Sequence, residues 1–211
     1  MSAQGLARFW PHFWFKAVSS TAFMSLFFTA YLHLLKNPSG AVTEMPLTPV
    51  DAWIPLQPWT VWIYVSLWVY VSLPVALMTS REDIVRYGLS IGALCLLGLG
   101  TFLVWPTAVP PTHVDWSQHP GMGILKGVDA AGNACPSLHV ATAVFSGIWL
   151  HWMTPWTGGG WPWRLASVAW CIAIAYSTVS TRQHVFIDVC AGAGLGLAIA
   201  WLTRPRQLLR G

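Results

Sequence analysis

The chain has 211 residues, 55% of them hydrophobic and only 9% charged, with a formal charge of +4 at neutral pH. Soluble domains carry about 25% charged residues, so this composition excludes an ordinary water-soluble globule. With no basic run interleaved with aromatics it also argues against nucleic-acid binding, and four cysteines without a Cys-x-x-Cys pair argue against a zinc site or a disulfide framework.

What it fits is a polytopic membrane protein, since a bilayer core demands apolar runs of about 20 residues. Residues 5–15 mix aromatics with Arg8 and His12 and predict an interfacial lead-in. Residues 17–35, held between Lys16 and Lys36, predict the first span. A signal peptide cleaved near Ser39-x-Ala41 is the competing reading, and its apolar core would exceed the usual length of about 7–15 residues. A polar, Pro-rich stretch over 37–57 leads to a second span over 59–78. The charged run Ser80–Arg86 predicts a short solvated loop, and 87–105 a third span.

The loop 106–134 carries Pro106, Pro110, Pro111, Pro120, His113, Asp115, His119, Lys126 and Asp129. A connection this long is usually functional. A fourth span is expected from Pro136 to about Met153, a fifth over 165–179 after a glycine-rich loop, and a sixth from the 180–184 link to Leu202. With the N-terminus inside, eight Lys and Arg fall on the inner side (Arg8, Lys16, Arg81, Arg86, Arg164, Arg204, Arg206, Arg210) and three outside (Lys36, Lys126, Arg182). That bias obeys the positive-inside rule. The expected fold is an all-α, six-transmembrane helical bundle forming one domain over 1–211, with both termini cytoplasmic. The 106–139 loop and the 180–188 link then emerge on the same, outer side.

Two stretches carry the chemistry. His184 and Asp188 are four apart and share a helix face. Asp188 is the one acidic residue inside a predicted span, and an intramembrane carboxylate requires a partner. A His–Asp pair one turn apart has the logic of an oriented, activated imidazole; a purely structural helix bridge is the alternative. Arg182, two residues earlier, has the planar fork that grips phosphate, unless it only snorkels to the interface. In Cys135-Pro-Ser-Leu-His139, Pro136 at a first helical position would make residues 135–138 a helix N-terminus that favours an anion. Ser137 would add a hydroxyl and His139 a proton donor.

Cys-Pro-Ser-Leu-His followed some 40 residues later by Arg-x-His-x-x-x-Asp resembles the type 2 phosphatidic acid phosphatase (PAP2) superfamily. It is most similar to the membrane branch that includes sphingomyelin and inositol-phosphorylceramide synthases, and the similarity covers roughly residues 95–200, with the motifs inside 104–190. The resemblance implies a helical-bundle enzyme acting on lipid phosphates without metal or cofactor. It implies His184 as the nucleophile that forms a phosphohistidine, Asp188 as its orienter and His139 as the acid for the leaving group. Arg182 and Ser137 would bind phosphate. Leu138 stands where the family commonly has glycine, and Arg182 stands two rather than six residues before the histidine; both features fit the synthase-like branch. The family's first motif, a lysine followed by Arg-Pro, is absent, and its positional equivalent Val104–Pro111 has no cation. Lys126 is the candidate replacement, although a solvated loop lysine is the more economical account.

The expected function is an integral membrane phosphatase in a bacterial inner membrane, acting on a lipid phosphate or pyrophosphate at the periplasmic face. Its expected partners are that substrate and membrane lipids; no oligomeric state follows. A lipid phosphotransferase is the first alternative and a non-catalytic transporter or scaffold the second, though no inverted repeat supports transport. His113 and His119 match no standard zinc spacing, and packing or interfacial polarity accounts for His33 and His151. Ala191–Gly196 resembles a dinucleotide loop but lies inside an apolar span with no preceding strand. Gly192 and Gly196 instead predict a small-x-x-x-small seam that packs the last helix closely and holds His184 near His139.

Overall fold

The computed structural model describes residues 10–111, 132–157 and 160–204, and the chain is mostly helical. In order come α1 (Phe13–Lys36), β1 (Thr43–Glu44), α2 (Pro49–Trp53), a 3-10 turn (Pro58–Thr60), α3 (Val61–Val65), α4 (Leu67–Leu77), α5 (Arg81–Val104), β2 (Thr107–Ala108), α6 (Leu138–Thr157), α7 (Trp161–Ser180) and α8 (Phe186–Leu202). Three helical stretches are long and apolar enough to cross a membrane: Phe13–Lys36, Pro58–Leu77 and Arg81–Val104. Of the other three expected spans, α8 is shorter, with 17 residues. Helices α6 and α7 each bury polar side chains in the bundle, among them Ser146, Ser167 and Ser177.

Helix α6 is the central element and packs against α4, α5, α7 and α8. Phe145 and Trp149 on it are buried against Tyr87 of α5, which meets Trp149 edge-on at 5.4 Å. Such rings prefer this geometry, and the Tyr87 hydroxyl, 2.9 Å from Ser146 Oγ, satisfies its polar end within the core. Helix α8 approaches α6 through glycine. A Cβ on Gly192 would lie 2.3 Å from the Ser137 carbonyl oxygen, and one on Gly196 would lie 2.4 Å from that of Ala141. The seam expected from sequence is therefore a backbone-to-backbone contact.

Several boundaries differ from expectation, each for a local reason. Helix α1 starts at Phe13, so Lys16 lies inside it; its Nζ donates to the Ala76 carbonyl at 2.8 Å. That carbonyl belongs to the last turn of α4, where carbonyls lack intrahelical partners and attract cations. The second expected span is one helical stretch divided at Ser66, whose amide still donates to the Trp62 carbonyl at 3.2 Å while its hydroxyl donates to the Ile63 carbonyl at 2.6 Å and accepts from Trp170 Nε1 at 3.1 Å. Helix α6 begins at Leu138 rather than at Pro136 and continues to Thr157. Ser137 is its N-cap, with Oγ accepting the Val140 amide at 3.3 Å. Helix α7 starts at Trp161, with Pro162 in its first turn, where the missing amide costs nothing.

The connections above the site are tied by a small parallel pairing, Thr43 with Thr107 and Glu44 with Ala108. Thr107 is buried, and its hydroxyl accepts the Cys135 amide at 2.8 Å. The region that lacks the family's first-motif cation thus anchors the backbone of the Cys135–His139 stretch.

Candidate active site

Helix α7 ends in a reversal that delivers His184. The amides of Gln183 and His184 both donate to the Thr178 carbonyl at 3.0 Å, and that of Arg182 to Val179 at 2.9 Å. Arg182 sits in the left-handed region with φ 60°, a position usually given to glycine after a helix and costing a side-chain-bearing residue about 1–2 kcal/mol. Its side chain holds it there: Nη1 donates to the Asp51 carbonyl and Nη2 to that of Ile54, each at 3.1 Å.

Behind this reversal stands a carboxylate that the sequence reading passed over. Asp51, buried on α2, accepts the Thr48 amide and hydroxyl on Oδ2, each at 2.7 Å, and the Phe186 amide on Oδ1 at 2.8 Å. Thr60 Oγ1 adds a contact of 2.7 Å to Ser180 Oγ, and the Gln57 amide donates to the Ser180 carbonyl at 2.9 Å. The segment from Thr48 to Thr60 therefore grips both sides of His184. One sequence signal was available: Thr48-Pro-Val-Asp51 has the spacing of a helix-capping box.

Asp188 is completely buried, and its Oδ2 lies 3.5 Å from His184 Nδ1. The same oxygen accepts the Val185 amide at 3.0 Å, so the carboxylate both caps α8 and stands behind the imidazole. The separation is longer than a good hydrogen bond. With Nδ1 turned to Asp188, Nε2 is the ring nitrogen directed away from the carboxylate. The Asp188 carbonyl also accepts the Ser137 amide at 3.1 Å, which ties the two motif stretches directly.

His139 projects from the first turn of α6 and stacks on the Tyr64 ring at 3.8 Å, nearly parallel, with Trp68 edge-on at 6.1 Å. Its Nε2 is 2.9 Å from the Tyr64 carbonyl. A carbonyl can only accept, so Nε2 carries a proton. Leu138 is accommodated by Gly98 of α5, where a Cβ would meet its Cδ2 at 2.3 Å. The side chain that departs from the commoner motif glycine is thus matched by a glycine on the helix it faces.

His139 and His184 line one cavity of about 80 Å³. Asn133 and Thr142 share its polar end, and Phe23, Phe27, Leu67, Trp68 and Ile91 are among its apolar walls. Ser137 and Arg182 are not among the lining residues: the Ser137 hydroxyl caps α6, and the Arg182 fork is on backbone carbonyls. Lys126, His113, His119, Asp115 and Asp129 lie outside the described residues. Cys135, just before the cis bond to Pro136, is buried close to Asp188. Burial, reinforced by the neighbouring carboxylate, pushes its thiol up to about 11.

Residues 103–209, just over half of the chain, match the family model described as PAP2 superfamily. The match spans both His-bearing stretches, the Thr107 anchor and the α6–α8 seam. Among curated proteins none matches the chain. On the family match, which takes in both histidines and Asp188, the chain belongs to the PAP2 superfamily.

Proposed function

We propose that the protein is an integral membrane lipid phosphatase that hydrolyses a lipid phosphate or pyrophosphate through a phosphohistidine on His184. The observation that carries this reading is the shared cavity. It has His139 and His184 at a polar end, Asp188 behind the second, and apolar and aromatic walls leading away.

In the first step the His184 Nε2 lone pair attacks phosphorus and the bond from phosphorus to the leaving oxygen breaks. Asp188 stabilises the charge that develops on the ring. His139, oriented through Nε2–H on the Tyr64 carbonyl, gives the leaving oxygen the proton held on Nδ1. In the second step water attacks phosphorus, His139 takes a water proton, the P–N bond breaks and phosphate departs. The resemblance assigns phosphate binding to Arg182 and Ser137, and Lys126 is the candidate replacement for the absent first-motif cation. Arg182 supports the site in any case, because its fork holds Asp51 and Ile54 while its backbone directs His184.

The proposed topology has six helical passes with both termini in the cytoplasm of a bacterial cell. The site then faces the periplasm. The Lys and Arg bias and the three apolar spanning helices support it. A phosphotransferase, in which the hydroxyl of an acceptor lipid replaces water, uses the same residues. Leu138 and the Arg182–His184 spacing, the synthase-like features of the motifs, favour it.

His184→Ala is expected to abolish phosphate release from a lipid phosphate while the protein still inserts and folds; retained release overturns the assignment. Incubating wild type with labelled lipid phosphate and a candidate acceptor lipid separates the two chemistries. Label in free phosphate supports the hydrolase, and label on the acceptor supports the transferase.

A further inference from the structure

Among the described residues, no lysine or arginine lines the cavity that holds the two histidines. A phosphate monoester brings about two negative charges to it, so part of its recognition falls to uncharged donors. One side-chain amide stands on that wall, Asn133, and neither the motifs nor the mechanism above gives it a task.

Asn133 is held in place from three directions. Gly132 pairs antiparallel with Ala108, and the Ala134 amide donates to the Thr107 carbonyl at 3.3 Å, so β2 fixes the chain on both sides of it. That strand lies in the stretch where the family's first-motif cation is missing. Asn133 is itself buried and takes a left-handed φ of 54°, which asparagine tolerates better than most side chains. Its Nδ2 donates to the Tyr31 carbonyl on α1 at 3.2 Å. A carbonyl only accepts, so this contact fixes which end of the amide is nitrogen. Nδ2 carries two hydrogens; one is on Tyr31, and the other has no partner among the described residues.

We propose that Asn133 is a phosphate-binding residue, its second Nδ2–H donating to a non-bridging oxygen of the phosphoryl group that His184 attacks. The proposal rests on the phosphatase reading above, because that reading puts phosphorus at His184. A donor whose backbone and first N–H are already fixed needs no reorganisation when charge shifts during transfer, which is where such donors act most strongly. The β2 stretch then contributes to the phosphate cradle after all, through a neutral amide it holds rather than a cation it carries.

The test uses farnesyl phosphate and dioleoyl phosphatidic acid in detergent micelles, with two variants. Asn133→Gly keeps the left-handed backbone and removes the amide. Asn133→Asp keeps the size and sets a carboxylate where the donor was. Both lose the bond to Tyr31, so a role limited to that bond moves them alike. Each protein is read for kcat/KM, for thermal unfolding, and for inhibition by orthovanadate and by farnesol, the product alcohol that lacks phosphate. Asn133→Gly is expected to lose about 100-fold in kcat/KM. Asn133→Asp is expected to lose at least about tenfold more, through repulsion of the phosphate. Vanadate inhibition should weaken in the same order, while farnesol inhibition stays at the wild-type value. Three outcomes overturn the proposal and leave the phosphatase reading standing: unaltered kcat/KM in both variants, loss of the folded protein in both, or parallel loss of vanadate and farnesol inhibition. Wild type that hydrolyses neither lipid overturns the phosphatase reading, and the role of Asn133 with it.

Discussion

Asp51 Oδ1 accepts the Phe186 amide at 2.8 Å across 135 residues of sequence, and Asp51's own carbonyl accepts Arg182 Nη1 at 3.1 Å. These bonds bracket His184 from both sides, so a residue outside the family-matched region sets where the imidazole stands. Hydrogen bonds to a charged group contribute about 1.5–3 kcal/mol each. Asp51→Ala is expected to lower the unfolding free energy in detergent by about 2–4 kcal/mol, because it also strands three donors. Asp51→Asn keeps an oxygen for Phe186 but sets an amide against Thr48. It is expected to retain most of the stability while lowering kcat about tenfold through a misplaced ring, with KM little changed. A fall in stability with unaltered kcat at saturating substrate would limit Asp51 to holding the fold.

The pairing of His184 with Asp188 and the stacking of His139 on Tyr64 predict a graded series. His184→Ala removes the nucleophile and is expected to leave no measurable turnover. His139→Ala is expected to lose about 100- to 10,000-fold, the usual range for a positioned proton donor. That loss should shrink for a substrate whose leaving group needs no proton, such as a nitrophenyl phosphate. Asp188→Asn is expected to cost as much as His139→Ala, because it removes the charge behind Nδ1 and perturbs the cap on Val185. Acid-labile label on wild type during turnover, absent from His184→Ala, would identify the phosphohistidine. Equal rates for His139→Ala on good and poor leaving groups would remove His139 from that role.

Much of this site was legible in the sequence because charge is so scarce in it. In a chain with 9% charged residues, a buried Asp188 one turn from His184 needed a partner, and the structure places the two 3.5 Å apart. The Gly192–Gly196 seam was legible for a similar reason, since small residues four apart on an apolar helix imply close packing. What escaped was long-range backbone bonding. Nothing local announces that Asp51 will serve Phe186, or that Thr107 will take the Cys135 amide, because backbone donors carry no sequence signature. Pro136 looked like a first helical residue, yet Ser137 supplies the cap and α6 starts at Leu138. The Arg182 fork was legible as a cation at the site, but the carbonyls of Asp51 and Ile54 that take it are not.

Cys135 gives a chemical prediction with a clear sign. Burial first and the Asp188 carboxylate second raise its thiol to about 11. The group therefore stays protonated through the working pH range, and thiolate, the reactive form, is scarce until the medium approaches that value. Because the folded value lies above the ordinary thiol, the stability tied to it is fully present at neutral pH and is lost progressively as pH rises from the ordinary thiol value through about 11. Maleimide treatment between about pH 7 and 8.5 is expected to leave Cys135 unmodified and turnover intact. Mass spectrometry showing stoichiometric labelling of Cys135 in that range, with parallel loss of activity, would contradict the buried, carboxylate-facing placement.

The α6–α8 seam makes the sharpest prediction, because one helix carries both the sensitive positions and their control. On Gly192 a methyl group would lie 2.3 Å from the Ser137 carbonyl oxygen, and on Gly196 it would lie 2.4 Å from that of Ala141. Neither obstacle is a side chain that can rotate away, so α8 must move off α6. Overpacking of this kind costs about 1–3 kcal/mol. The displacement also draws Asp188 and His184 away from Ser137 and His139, since the Asp188 carbonyl is bonded to the Ser137 amide at 3.1 Å. Gly192→Ala is therefore expected to lower both Tm and kcat, and more strongly than Gly196→Ala, which lies one turn further from the histidines. Gly194 on the same helix has nothing within 4 Å of a Cβ. Gly194→Ala removes backbone freedom from the unfolded chain without a clash, and should leave activity unchanged and raise stability by about 0.5–1 kcal/mol. Thermal unfolding of the three variants beside their turnover reads the seam directly, and a Gly192→Ala protein as active and stable as Gly194→Ala would show that the two helices do not touch there.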